Sequence, residues 1–193
     1  MSEHIRFSWG SSSLGGFVAA ASEHGLVAFE FGEQRSAMLN TLQERFPDAA
    51  IEQDDSGLAD TVGKLANLVE HPDQDPGIPL DLRGSDYQKR VWTMLREIPA
   101  GETTNYGALA AKLGTRDARD VTGAIASNCI AILVPCHRVI RKDGSISGYG
   151  WGVRLRMGRP SQARPAKPRA IGRRQRAQRL RGRPARKVGS VEI

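Results

Sequence analysis

No apolar run in these 193 residues approaches the roughly 18 that a membrane span requires, so no membrane partner is expected. The first residues, MSEHIRFSWGSSS, lack the basic-then-apolar plan of a secretory signal, which makes the cytoplasm the expected location. Cysteine is scarce. Cys129 and Cys136 cannot build a disulfide framework, and a cytoplasmic thiol is ordinarily reduced, catalytic or simply packed. The four histidines, His4, His24, His71 and His137, show no ligand spacing with those cysteines, so neither a metal nor a cofactor is expected. With 21 Gly and 10 Pro the chain is too poor in both for low complexity throughout. Its 39% hydrophobic and 25% charged residues are those of a globular protein, which excludes collagen-like, coiled-coil and fully disordered chains.

The formal net charge of +7 suggests a nucleic-acid partner until it is divided along the chain. Residues 1–152 carry 14 Lys/Arg against 20 Asp/Glu, or −6, and residues 153–193 carry 14 against 1, or +13. The basic balance belongs to the tail alone. That tail has no aromatic residue and no hydrophobic periodicity, so it cannot offset its ordering entropy and is expected to be disordered. Arg, Pro, Gly and Ala supply 25 of its 41 residues. These are the amino acids whose codons begin with two G or C bases, and the tail is read as a frameshifted GC-rich sequence in preference to a natural basic arm.

Before the tail, two regions are expected, 1–80 and 81–152. Residues 5–9 (IRFSW), 15–21 (GGFVAAA) and 25–32 (GLVAFEFG) are short, apolar and separated by Gly/Ser punctuation, which predicts a three-stranded antiparallel meander. Met38, Leu39, Leu42 and Phe46, and then Leu58, Val62, Leu65 and Val69, recur at helical intervals and predict two helices packed on that sheet. The polar stretch HPDQDPGIP (71–79) reads as a linker. Beyond it, Tyr87, Val91, Leu95 and Ile98 mark one face of a helix that stops before Pro99. YGALAAKLG (106–114) ends at Gly114, a C-cap, and Asp117 is a plausible N-cap for a helix over 118–127. Two short helices joined by a tight turn form a helix-turn-helix candidate, an outline shared by many hairpins that bind no DNA. The fold class is therefore α+β: a small sheet with helices, a helical region, and a disordered tail.

The stretch LVPCHRVIRKDGSISGYGWG (133–152) carries the chemistry. A free cysteine, with a pKa of about 8.5, is only a few per cent thiolate at neutral pH, so a nucleophilic role needs a basic neighbour. Cys136 has His137 and Arg138 beside it. A cysteine following an apolar run is more often a small core residue, and that is the preferred reading for Cys129. Around Cys136 the context differs, because Pro135 fixes the preceding backbone. The run Gly148-Tyr149-Gly150-Trp151-Gly152 also permits close backbone approach to a flat ligand beside an aromatic ring.

These residues resemble the O6-alkylguanine-DNA alkyltransferases, also called methylated-DNA-protein-cysteine methyltransferases, and among them the C-terminal half of the bacterial adaptive-response regulators. The resemblance covers roughly residues 5–152 and rests most on PCHRV, an Asn eight residues before the Cys, and a following Gly-Tyr-x-Trp-Gly. It implies a ribonuclease-H-like first domain and a monomer that meets double-stranded alkylated DNA from the minor groove and flips the guanine. It implies that Cys136 accepts the alkyl group of O6-alkylguanine or O4-alkylthymine once and irreversibly, and that His137 takes its proton through a water. Tyr106 would donate toward guanine N3, Arg119 would fill the gap in the duplex, and Asn128 would tie the DNA-reading helix to the active-site strand. Tyr149 and Gly150 would wall the base pocket, and the carbonyls of Val139 and Cys136 would accept from the exocyclic amine.

Two departures stand out. Gly150 occupies a position where relatives usually have Arg. The family also continues into an amphipathic helix bearing a glutamate that hydrogen-bonds the active-site His, whereas the only acid after Gly152 here is Glu192. The alternative expectation is therefore a lesion-binding protein with impaired or no transfer, against which the retained Cys136 argues. A cysteine hydrolase is disfavoured, because such enzymes recruit their His from a distant segment.

Overall fold

The computed structural model describes residues 3–115 and 117–145, so the tail lies outside the described residues. Strands β1 (Glu3–Ser12), β2 (Gly15–Ser22) and β3 (Gly25–Phe31) form the antiparallel meander, with Phe7 opposite Ala20 and Phe17 opposite Phe31. A fourth strand, β4 (Ala49–Gln53), lies parallel to β1, so the sheet order is β3-β2-β1-β4 and the expectation of three strands is corrected. AAIEQ has a single β-branched residue; the exposed backbone edge of β1, rather than intrinsic propensity, makes it a strand.

Alternation along β2 divides the interior. Val18 and Ala20 face α1 (Arg35–Arg45), packing with Met38, Leu42 and Phe46, while Phe17 and Ala19 face the other way, toward Leu65 of α2 (Ala59–Glu70). The second of these cores also takes in Val91, Leu95, Val121, Val134 and Cys136, so residues from both sides of position 80 share it.

Strand β3 is an edge strand, and its outer side anchors the rest of the chain. Leu26 N–H donates to Pro79 O at 2.8 Å and Asp81 N–H to Leu26 O at 2.9 Å. Further along, Phe29 N–H donates to Cys129 O at 2.8 Å, and Ala131 N–H to Phe29 O at 2.7 Å. The end of the linker and the segment before Cys136 are thereby fixed to one strand. Gly25, at φ +145°, is required here because a Cβ would lie 2.5 Å from Pro79 O.

Helix α3 (Asp86–Arg96) starts in a capping box. Ser85 Oγ accepts from Gln88 N–H at 3.3 Å, and Ser85 N–H donates to Gln88 Oε1 at 2.8 Å. Helices α4 (Tyr106–Lys112) and α5 (Ala118–Ala126) form the helix-turn-helix, with Gly114 at φ +74° in the turn and Asp117 as the N-cap of α5. Two bonds lock α5 onto α3: Gln88 Nε2 donates to Ser127 Oγ at 2.8 Å, and Trp92 Nε1 donates to Ala124 O at 2.7 Å. Trp92→Phe removes the second bond and part of a buried ring. The expected loss is about 1–3 kcal/mol, read as a lower urea midpoint with unchanged slope. An unchanged midpoint would show that this contact does not hold α5.

Candidate active site

The site is built where the chain leaves α5. After Ser127 the backbone meets the edge of β3, and the side chain of Asn128, itself buried, takes over the role a strand ladder would have played. Its Oδ1 accepts from Ile130 N–H at 2.9 Å. Its Nδ2 lies 3.0 Å from Val134 O, 3.3 Å from Ile130 O and 3.2 Å from Cys136 Sγ. The apolar segment 130–135 is consequently a turn with one bridge, Phe29 to Ile130. Ile132 is held at φ +65°, a conformation that β-branched residues rarely adopt and that only an over-determined turn maintains.

Cys136 opens a single 3-10 turn, Cys136–Arg138, and is 4% exposed. The amide N–H of Asn128 is aimed at its sulfur, and hydrogen bonding to an anionic form favours that form. His137 is half-buried on the same turn, and Arg138 Nη1 donates to Ile98 O beyond α3. The chain then enters β6 (Val139–Ile140), which pairs in parallel with β5 (Thr104–Asn105), Val139 opposite Thr104 and Asn105 opposite Ile140. Tyr106 follows directly as the first residue of α4, where Asn105 Oδ1 caps the helix through Ala108 N–H at 3.0 Å. This pairing draws Tyr106 to the segment bearing Cys136, His137 and Val139.

Arg119 is not part of that group. It sits in the first turn of α5 with its side chain 92% exposed, and nine residues of roughly 1.5 Å rise separate it from Asn128 at the other end, about 13 Å. Tyr149 and Gly150 lie outside the described residues. Two surface depressions flank α3, one against Lys112 and Leu113 and one against Asp120 and Gly123, and neither reaches Cys136.

The second thiol has a packing role. Cys129 Sγ donates to Val27 O at 3.3 Å, and burial pushes this thiol up, against a smaller opposing effect of Arg45. Among the described residues no group of three His, Cys, Asp or Glu could hold a metal ion, and no helix is long and apolar enough to cross a membrane.

Two features were missed from sequence. The Ser85–Gln88 capping box was legible as S-x-x-Q, but the contact between Asn128 and the sulfur had no sequence signal, since it depends on the left-handed turn at Ile132.

The arrangement has close parallels. The family model described as the DNA-binding domain of 6-O-methylguanine DNA methyltransferase matches residues 86–159. The crystal structure of the Mycobacterium tuberculosis O6-methylguanine methyltransferase is 33% identical, with a TM-score of 0.64 over 79% of this chain and 88% of that one. The chain belongs to the O6-methylguanine-DNA methyltransferase family. A structure of the Mycobacterium tuberculosis OGT in complex with DNA is 36% identical, with a TM-score of 0.62 over 80% of this chain and 89% of that one. The bifunctional transcriptional activator/DNA repair enzyme Ada of Escherichia coli K12 is 39% identical over 150 residues, 77% of this chain but 42% of that protein. The methylated-DNA-protein-cysteine methyltransferase of Mycolicibacterium paratuberculosis is 52% identical over 77 residues, 39% of this chain and 47% of that protein. The chain thus spans less than half the length of these two curated relatives. The family match also runs seven residues past Gly152, so the family pattern persists into what composition alone assigns to the tail.

Proposed function

We propose that this methyltransferase-family chain repairs DNA by moving the alkyl group of O6-alkylguanine, or of O4-alkylthymine, irreversibly onto Cys136. The observation that carries the proposal is the polarised sulfur: Cys136 Sγ is buried in an apolar core yet sits 3.2 Å from the N–H donor of Asn128, on the same short turn as His137. The chain would act as a cytoplasmic monomer, entering the minor groove of duplex DNA with α5. Rotating the damaged guanine out of the stack costs about a few kcal/mol, and less where pairing is already lost.

With the base extruded, the sulfur attacks the alkyl carbon. The S–C bond forms as the C–O6 bond breaks, and the electron pair passes into the purine. Protonation at N3, from the Tyr106 hydroxyl, lets guanine leave neutral. The proton lost by the thiol passes through water to His137 and balances the one given up by Tyr106. The product is a thioether, which no neighbouring base can hydrolyse, so each molecule acts once.

Charge distribution supports a polyanionic partner. In the first 85 residues cations are partnered: Arg6 with Asp54, Arg45 with Glu30, Lys64 with Asp60, Arg83 with Glu3 and Asp81, and Arg35 over the Trp9 ring. On α3 and α4, Lys89, Arg90 and Lys112 make no ion pair among the described residues and line one depression beside the helix-turn-helix, three cations against the one carboxylate of Asp86. Cations left unneutralised there are available to phosphate.

The test is to incubate the protein with a duplex containing O6-methylguanine and weigh the Cys136 peptide. A gain of about 14 Da, saturating at one methyl per chain, is the expected result. Lesion-selective binding without that gain would instead establish the lesion-binding reading, which is favoured by the lack of any residue in the sequence for the family's relay glutamate.

A further inference from the structure

The first turn of α5 holds its arginine back. Asp117 Oδ1 accepts the Arg119 backbone N–H at 2.8 Å as the helix cap, which fixes the carboxylate in place. The Arg119 side chain folds back onto that same carboxylate, with Nε 3.1 Å from Oδ1 and 3.2 Å from Oδ2, and Nη2 3.0 Å from Oδ2. Asp117 is the only ion-pair partner of Arg119 among the described residues. Asp120 adds a second carboxylate in the first turn of the helix, beside Tyr87 and Gln88 across the depression between α3 and α5.

We infer that Asp117 is a positioning residue that parks Arg119 against the start of α5 and sets how readily it enters DNA. The inference rests on the reading of Arg119 as the side chain that fills the gap left by the flipped nucleotide. A guanidinium anchored on a carboxylate must leave it before inserting between bases, and the abandoned carboxylate then faces phosphate of like sign. A helix N-terminus would otherwise attract phosphate, so the acid opposes the dipole as well as holding the arginine. A chain sliding on undamaged duplex leaves the pair intact; only the state with a base extruded has to break it. Asp117 therefore weakens the flipped complex relative to the sliding one.

Asp117→Asn separates the two roles, because Asn caps a helix as well as Asp does and lacks the charge. The full chain is titrated onto fluorescent duplexes with and without O6-methylguanine at two salt concentrations, and Cys136 methylation is timed on duplex and on free O6-methylguanine base. Asp117→Asn is expected to bind the lesion duplex roughly two- to tenfold tighter at low salt and to gain similarly in transfer rate at subsaturating duplex. Transfer from the free base should stay unchanged. In an Arg119→Ala background the same substitution should give less than half of that gain. The proposal is overturned if Asp117→Asn binds no tighter, or if its gain is undiminished without Arg119, which would leave only repulsion of phosphate. Asp117→Ser, a second uncharged cap, guards against a defect peculiar to Asn and must give the same direction. A wild-type chain that neither binds duplex nor is methylated would remove the repair reading itself, whereas a methylated wild type with an indifferent Asp117→Asn removes this inference alone.

Discussion

Cys136→Ser should take up no methyl group from alkylated duplex, a loss of about three orders of magnitude or more in rate, while its binding to the same duplex and its unfolding midpoint stay close to those of the parent chain. The expectation follows from how little else changes. Serine fits the buried position, and its hydroxyl can still accept from Asn128 Nδ2, so the turn 128–136 keeps its bonds. What is lost is the nucleophile, because a hydroxyl without an adjacent strong base is scarcely ionised and weakly nucleophilic. Cys129→Ser is the contrasting case. Cys129 Sγ donates to Val27 O, a bond that a hydroxyl reproduces, and the thiol is disfavoured as an anion by burial. That variant should become methylated at Cys136 at the parental rate. Transfer surviving in Cys136→Ser, or disappearing in Cys129→Ser, would exchange the roles of the two cysteines and remove the proposed function.

The contrast between the two thiols shows how far sequence reasoning reaches. Cys136 was separable from Cys129 by its neighbour His137, and the structure adds a physical difference: Cys136 Sγ lies 3.2 Å from Asn128 Nδ2, whereas Cys129 Sγ donates to Val27 O and its thiol is pushed up by burial that outweighs the nearby Arg45. The helices were legible where apolar periodicity and capping residues agreed, as at Asp117 and Gly114. Strand β4 was not, because its pairing is supplied by a neighbour 46 residues away in sequence, as for Glu3 and Ala49, rather than by its own side chains. The segment 130–135 shows the opposite case. Its apolar, β-branched residues look like a strand, but burial within the core shared by both halves and the bonds of Asn128 bend it into a turn. Local composition reports that a segment is buried; it does not report which polar group its backbone will find.

Asn128→Asp should be more damaging than its near-identical shape suggests. The amide nitrogen faces two carbonyl oxygens and a sulfur, at 3.0, 3.3 and 3.2 Å, in a place that suits a donor, although each carbonyl also accepts a backbone N–H, Ile130 O from Val134 and Val134 O from Cys136. An ionised carboxylate there offers only acceptors and places an unpaired charge in a site 6% exposed; a protonated one can serve a single neighbour. The ionised form leaves a buried charge unpaired beside two carbonyl oxygens, and the expected loss is about 3–5 kcal/mol. At roughly 2–4 °C per kcal/mol for a chain of this size, thermal unfolding should fall by on the order of 10 °C. Asn128→Ala also loses the donors, but brings no negative charge to the sulfur. Comparing iodoacetamide rates at Cys136 in the two variants, at a temperature where both are folded, isolates the electrostatic part. A carboxylate beside the sulfur disfavours thiolate, so Asn128→Asp should react about tenfold or more slowly than Asn128→Ala at neutral pH. His137 is common to both, which leaves the charge at position 128 as the difference. Equal rates would mean that no charge at position 128 acts on the sulfur, and would remove the support for an electrostatic role of Asn128.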